Sequence, residues 1–119
     1  MSIDISTIEC CHDREKKMIF TLLQGKEILA VAEIWHTQGL KPILEKVFVK
    51  EIARRRGFWR YLMERRLKWL QENSKAQTVQ LYIDKNSPII NALKGYGFQF
   101  TGETNEDNSL WMVKQLRVG

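Results

Sequence analysis

The run from Val47 to Met63 changes character twice, and few backbone paths accommodate both changes. It opens with the apolar Val47-Phe48-Val49, crosses Arg54-Arg55-Arg56 and one glycine, Gly57, and continues as an amphipathic pattern from Phe58. A strand that turns into a helix N-terminus leaves backbone N–H groups without intrahelical partners. The aligned peptide dipoles add partial positive charge at the same place. Such a junction is a ready anion site. Arginines supply permanent charge and forked donors that match phosphate. A glycine is required where the chain itself must approach the phosphate closely.

Helical geometry sorts the side chains after Gly57. At about 100° per residue, Phe58, Trp59, Leu62, Met63, Leu67, Trp69 and Leu70 fall within half the circumference. Arg60, Glu64, Arg65, Lys68, Gln71 and Glu72 fall on the other half. The helix therefore packs on a sheet with one side and ends near Asn73-Ser74. Arg66 is the exception inside the apolar arc, and it is expected to snorkel to solvent or to pair with an acid of the sheet.

The remaining chain supplies that sheet. Residues 6–11 form a first edge strand. Residues 18–23 and 28–35 are apolar, β-branched runs around Gln24-Gly25-Lys26, which predicts a hairpin. His36-Thr37-Gln38-Gly39 is a loop, and Pro42 precedes a strand over Ile43–Val49. Beyond the helix, residues 78–83 form a strand. Ser87 is placed as N-cap and Pro88 as first residue of a helix through Ile89, Ile90, Ala92 and Leu93, which stops at Gly95-Tyr96-Gly97. Residues 98–101 and 110–116 are the last strands, with a polar loop over residues 104–108. A strand–helix–strand passage between hairpins predicts an α+β fold. Its central mixed sheet is mostly antiparallel, with one parallel pair joined by a right-handed helical crossover. The 119 residues are enough for a single domain, taken as 1–119.

The formal charge of +5 favours anionic partners without choosing among nucleotides, nucleic acid and acidic surfaces. No signal-like segment or long apolar run is visible, so a cytoplasmic protein with no membrane span is expected. Adjacent Cys10 and Cys11 are expected to be reduced thiols. With only His12 and His36 as further soft ligands, no metal site is expected.

Arg54-x-x-Gly57 after a Val-x-Val strand resembles the acyl-CoA motif of the GNAT acyltransferases, Gln/Arg-x-x-Gly-x-Gly/Ala, with Trp59 standing where the family has a small residue. Asn86 ahead of a short helix that ends in Gly97-Phe98 resembles the second half of that family, and so does the order of elements. The resemblance runs from about Ile43 to the C-terminus. It implies a GNAT-like fold in a short form, with the usual N-terminal helices reduced or absent. It also implies acetyl-CoA, or a related acyl-CoA, as cosubstrate and an amine as acceptor.

On that resemblance, Arg54, Arg55, Arg56, Gly57, Phe58, Trp59 and Arg60 cradle the CoA phosphates, largely through backbone N–H groups. Val47, Phe48 and Val49 receive the pantetheine like an added strand, a backbone N–H there meets the acyl carbonyl, and Asn86 joins the cofactor-binding set. The tyrosine the family often uses as acid falls at Leu93. Tyr96 is the nearest substitute, and a thiolate can also leave unaided. Glu45, on the strand entering the motif, is the candidate base, ahead of Glu33 and Tyr82. An open acceptor side suggests a homodimer. The alternative is a non-catalytic module of the same fold, degenerate for CoA or binding nucleic acid through Arg60, Arg65 and Lys68. Nucleic acid is not expected, because Glu64 and Glu72 interleave those charges.

Overall fold

The computed structural model describes the backbone of residues 4–12 and 15–117 and the side chains of residues 16–45 and 47–117. Seven strands and two helices follow one another as β1 (Asp4–His12), β2 (Glu15–Gln24), β3 (Glu27–Trp35), β4 (Ile43–Val49), α1 (Phe58–Asn73), β5 (Thr78–Ile83), α2 (Ile90–Gly95), β6 (Gln99–Thr104) and β7 (Leu110–Gln115). A single 3₁₀ turn, Glu51–Ala53, lies between β4 and α1. The strands form one sheet in the order β1-β2-β3-β4-β5-β7-β6. Every neighbouring pair is antiparallel except β4 and β5, which α1 connects in parallel. This is the mixed, mostly antiparallel GNAT-like sheet the sequence predicts, and no helix precedes α1 among the described residues.

Alternation along the strands decides which face is covered. Met18, Phe20 and Leu22 of β2 are buried with Ala30, Ala32 and Ile34 of β3, Leu44 of β4, Val79 and Leu81 of β5 and Met112 of β7. Register pairs such as Phe20↔Ala32 and Ile34↔Leu44 stack these side chains on one face. Leu62, Met63, Leu67 and Leu70 of α1 and Leu93 of α2 complete the same core. Trp59 and Tyr96 join the two helices on that side, with ring centroids 6.1 Å apart. The alternate positions, including Val31, Glu33, Trp35, Glu45 and Tyr82, form a second face that no helix among the described residues covers. The small residues Ala30 and Ala32 let α1 sit close to β3.

Two local expectations are corrected. The second helix begins at Ile90, with Ile89 and not Ser87 as the residue before it. Ser87 Oγ instead accepts from Ile89 N at 3.4 Å, and Asp84 Oδ1 accepts from Asn86 N at 2.7 Å. Side chains of this type satisfy backbone donors in successive turns as readily as at a cap. Arg66 neither snorkels nor meets an acid among the described residues. It is 1% exposed, and its bonds go to backbone carbonyls, Nε to Leu62 O at 3.4 Å and Nη1 to Glu33 O at 3.2 Å. The C-terminus of α1 is closed by Arg117, a feature without a local sequence signal. Its guanidinium donates to the carbonyls of Gln71 (2.7 Å), Ser74 and Ala76. The thiol expectation for Cys10 and Cys11 falls on side chains outside the described residues.

Candidate active site

The turn ahead of α1 is held in an unusual backbone path. Arg55 has φ 65° and Gly57 φ 79°, both left-handed, and Gly57 occupies the N-cap position without a side-chain cap. The first intrahelical bond runs from Tyr61 N to Gly57 O at 3.0 Å, which leaves the N–H groups of Phe58, Trp59 and Arg60 without helical partners. No acidic residue stands in the first turn. These donors open on a cavity of about 730 Å³ lined by Val49, Arg54, Arg55, Arg60 and, across from them, Tyr96, the residue that follows α2. Arg54 Nε also donates to Val49 O at 3.2 Å, which ties the turn back to β4. Backbone donors, arginine charge and the helix dipole thus converge on one anion site.

A second cavity, of about 390 Å³, opens where β4 and β5 part. The two strands pair only at Ile43↔Gln80, with Gln80 N donating to Pro42 O at 3.1 Å. Further along, the pairing of β4 with β3 slips between Val31↔Phe48 and Glu33↔Glu45, which places an extra residue on β4. A bulge of this kind bends its strand, and here β4 leaves β5 and its backbone edge is open to the gap. Physically, an extended chain can add to such an edge as another strand.

The gap passes through the sheet. From the helix side it is lined by Met63, Arg66 and Leu93, and from the other side by Glu45 and Tyr82. Tyr82 lies beside Glu45, and hydrogen bonding toward that carboxylate, desolvation and the carboxylate's charge push the phenol up from 10.0 to about 12. Tyr82 also meets Trp111 edge-on, with centroids 5.1 Å apart.

Of the sequence-predicted residues, Arg54, Arg55, Gly57, Phe58, Arg60 and Val49 line the first cavity, and Glu45 and Val47 line the second. Trp59 lines both. Arg56, Phe48 and Asn86 line neither. All three are exposed, and Phe48 points to the uncovered face because the bulge shifts the alternation. Glu45 and Tyr96 are not brought together. Tyr96 sits on the first cavity with its hydroxyl 3.4 Å from Glu64 Oε1, and burial raises its pKa. Leu93 is buried and faces the gap at the position of the family's acid. The nearness of Tyr82 to Glu45 has no local sequence signal, because it arises from pairing strands far apart in the chain.

An arginine-lined helix N-terminus leading to a parted pair of parallel strands is the arrangement of an acyl-CoA-dependent transferase. The chain matches the acetyltransferase (GNAT) family over residues 2–98 and belongs to that family, whose members transfer an acyl group from CoA to an amine. Its fold is similar to an acyl-CoA N-acyltransferase from Pseudomonas aeruginosa (TM-score 0.79, 14% identity, 95% of this chain and 99% of that one). It is also similar to the ribosomal-protein-S18-alanine N-acetyltransferase of Escherichia coli (TM-score 0.72, 19% identity, 87% of this chain and 71% of that one). PaiA N-acetyltransferase from Thermoplasma acidophilum, solved in complex with coenzyme A, is a third (TM-score 0.67, 12% identity, 83% of this chain and 60% of that one). No curated protein sequence gives a significant match.

Proposed function

We propose that this protein is an N-acyltransferase that takes acetyl-CoA or a related acyl-CoA and passes the acyl group to an amine by direct attack. The observation that carries this reading is the adjacency of the two cavities, which share Trp59 in their walls. Phosphates fit the arginine-lined turn, and a pantetheine arm of extended shape fits the open edge of β4. The thioester supplies an activated acyl carbon, and the residues around the gap supply the rest. Glu45 takes the proton of the attacking amine as the nitrogen–carbon bond forms. The carbon–sulfur bond breaks, and the Tyr82 phenol, beside Glu45, is placed to protonate the departing sulfur. An unpaired N–H of β4 donates to the carbonyl oxygen as it gains charge.

This reading moves the acid from Tyr96 to Tyr82, since Tyr96 lies on the phosphate side of Trp59. Tyr96 and Glu64 then serve as a wall of the phosphate cavity, and Asn86 keeps its proposed cofactor role only if the loop ahead of α2 rearranges. We also take the 119 residues to act as one domain, as a homodimer and in the cytoplasm. No helix among the described residues is long and apolar enough to cross a membrane.

Calorimetric titration with acetyl-CoA tests the cofactor reading. Binding is expected, with affinity falling as salt rises, because arginines meet phosphates. Micromolar CoA is expected to raise the melting temperature, since a ligand that binds only the folded state stabilises it. No shift at millimolar CoA would reject the reading in favour of a non-catalytic module of this fold.

A further inference from the structure

Arg66 is not explained by the acyl transfer described so far. It lies among Leu62, Met63, Leu67 and Leu70, where an aliphatic residue would pack, and it is 1% exposed. Burial lowers its pKa from 12.5 to about 10, so it remains charged at neutral pH. A buried cation without a counter-ion is costly. No ion pair among the described residues involves it. Two backbone carbonyls hold Nε and Nη1, while Nη2 has no partner among the described residues. Nη2 is not among the fully enclosed unpartnered polar atoms, where Thr37 Oγ1 alone stands among the described residues. Arg66 lines the gap together with Glu45 and Tyr82.

We propose that Arg66 binds a carboxylate carried by a reactant in the gap, so that the transferase handles an acidic substrate. The inference rests on the acyltransferase reading and names the substrate class of the same site. The missing counter-ion is supplied by the substrate, and a charge-assisted bond to a planar carboxylate is what a guanidinium makes best. The position of Arg66 on the helix side of the gap, with Glu45 on the other, separates the two ends of the reactants. The amine is met by Glu45, and the carboxylate reaches through to Arg66. The carboxylate belongs either to an acyl chain that ends in one or to the amine acceptor.

Two comparisons on the unaltered protein separate these sources. Calorimetry compares succinyl-CoA with acetyl-CoA, and steady-state kinetics compares α-amino acids with their amides as acceptors. An acyl carboxylate predicts at least roughly tenfold tighter binding of succinyl-CoA, and an acceptor carboxylate predicts at least roughly tenfold higher kcat/KM for the free acid, the ordinary worth of one charge-assisted bond. Arg66→Met is expected to erase whichever preference appears, bringing the acidic member of the pair to the level of its neutral counterpart in the same variant, and Arg66→Lys to restore part of it. A merely structural arginine would lower both members of each pair together. If CoA binds and both preferences are absent, the inference is overturned and the cofactor reading stands. If neither CoA thioester binds, the cofactor reading fails and the inference with it.

Discussion

Glu45 and Tyr82 form a pair that only strand pairing creates. They lie 37 positions apart in sequence, yet both line the gap, where the carboxylate raises the pKa of the phenol. Glu45→Gln is expected to lower kcat by on the order of 100-fold, the usual worth of a positioned base. Tyr82→Phe is expected to cost more than Tyr96→Phe, which should lose less than about tenfold, because Tyr96 is held at Glu64 on the phosphate side. The phenol of Tyr82 is raised from 10.0 to about 12, so its protonated form is favoured in the folded state. Its contribution to stability is intact below pH 10 and lost as pH rises towards 12. The pH–rate profile should therefore rise along one limb and show no descending limb below pH 10. A bell-shaped profile together with a large loss in Tyr96→Phe would return the acid role to Tyr96.

The junction from β4 to α1 holds two left-handed residues close together, Arg55 at φ 65° and Gly57 at φ 79°. A Cβ at Gly57 would meet nothing within 4 Å, so a substitution there is resisted by backbone conformation, φ 79°, and not by crowding. Gly57→Val is expected to destabilise by about 1–2 kcal/mol, the cost of a left-handed L-residue, with more from β-branching. The larger effect should be on ligand binding, because relief of the strain re-aims the N–H groups of Phe58, Trp59 and Arg60. CoA affinity measured by calorimetry is expected to fall at least tenfold while the circular dichroism spectrum is retained; unchanged affinity would place the phosphate site elsewhere. The limits of α1 were legible because its apolar arc and Gly57 agree with one another. The start of α2 was not, because Ser87 and Pro88 satisfy a turn as well as a cap.

On the scale of the whole molecule, the sheet has one face buried under both helices and one that no described helix covers. Phe48 is 56% exposed on that second face, and β6, exposed along its whole length, is an open sheet edge. Uncovered edges and apolar side chains favour association. Light scattering is expected to give the mass of a dimer, and a monomer at high concentration would count against it. On the same face Tyr82 is 38% exposed and Glu45 partly exposed, where both line the gap.

The sequence by itself determined most of the elements and the glycine turn ahead of α1, because helix periodicity, strand alternation and a glycine in a left-handed turn are local properties of neighbouring residues. It placed Ile43–Val49 and the start of the first helix at Phe58, and it marked Arg66 as an anomaly within an apolar arc. Tertiary structure decided the rest. The bulge opposite Ala32 parts β4 from β5, Glu45 and Tyr82 meet at that opening, and Trp59 contributes to the walls of both cavities. Each depends on the register of strands distant in the chain, and register is set by packing a whole sheet against a helix, which no local pattern encodes.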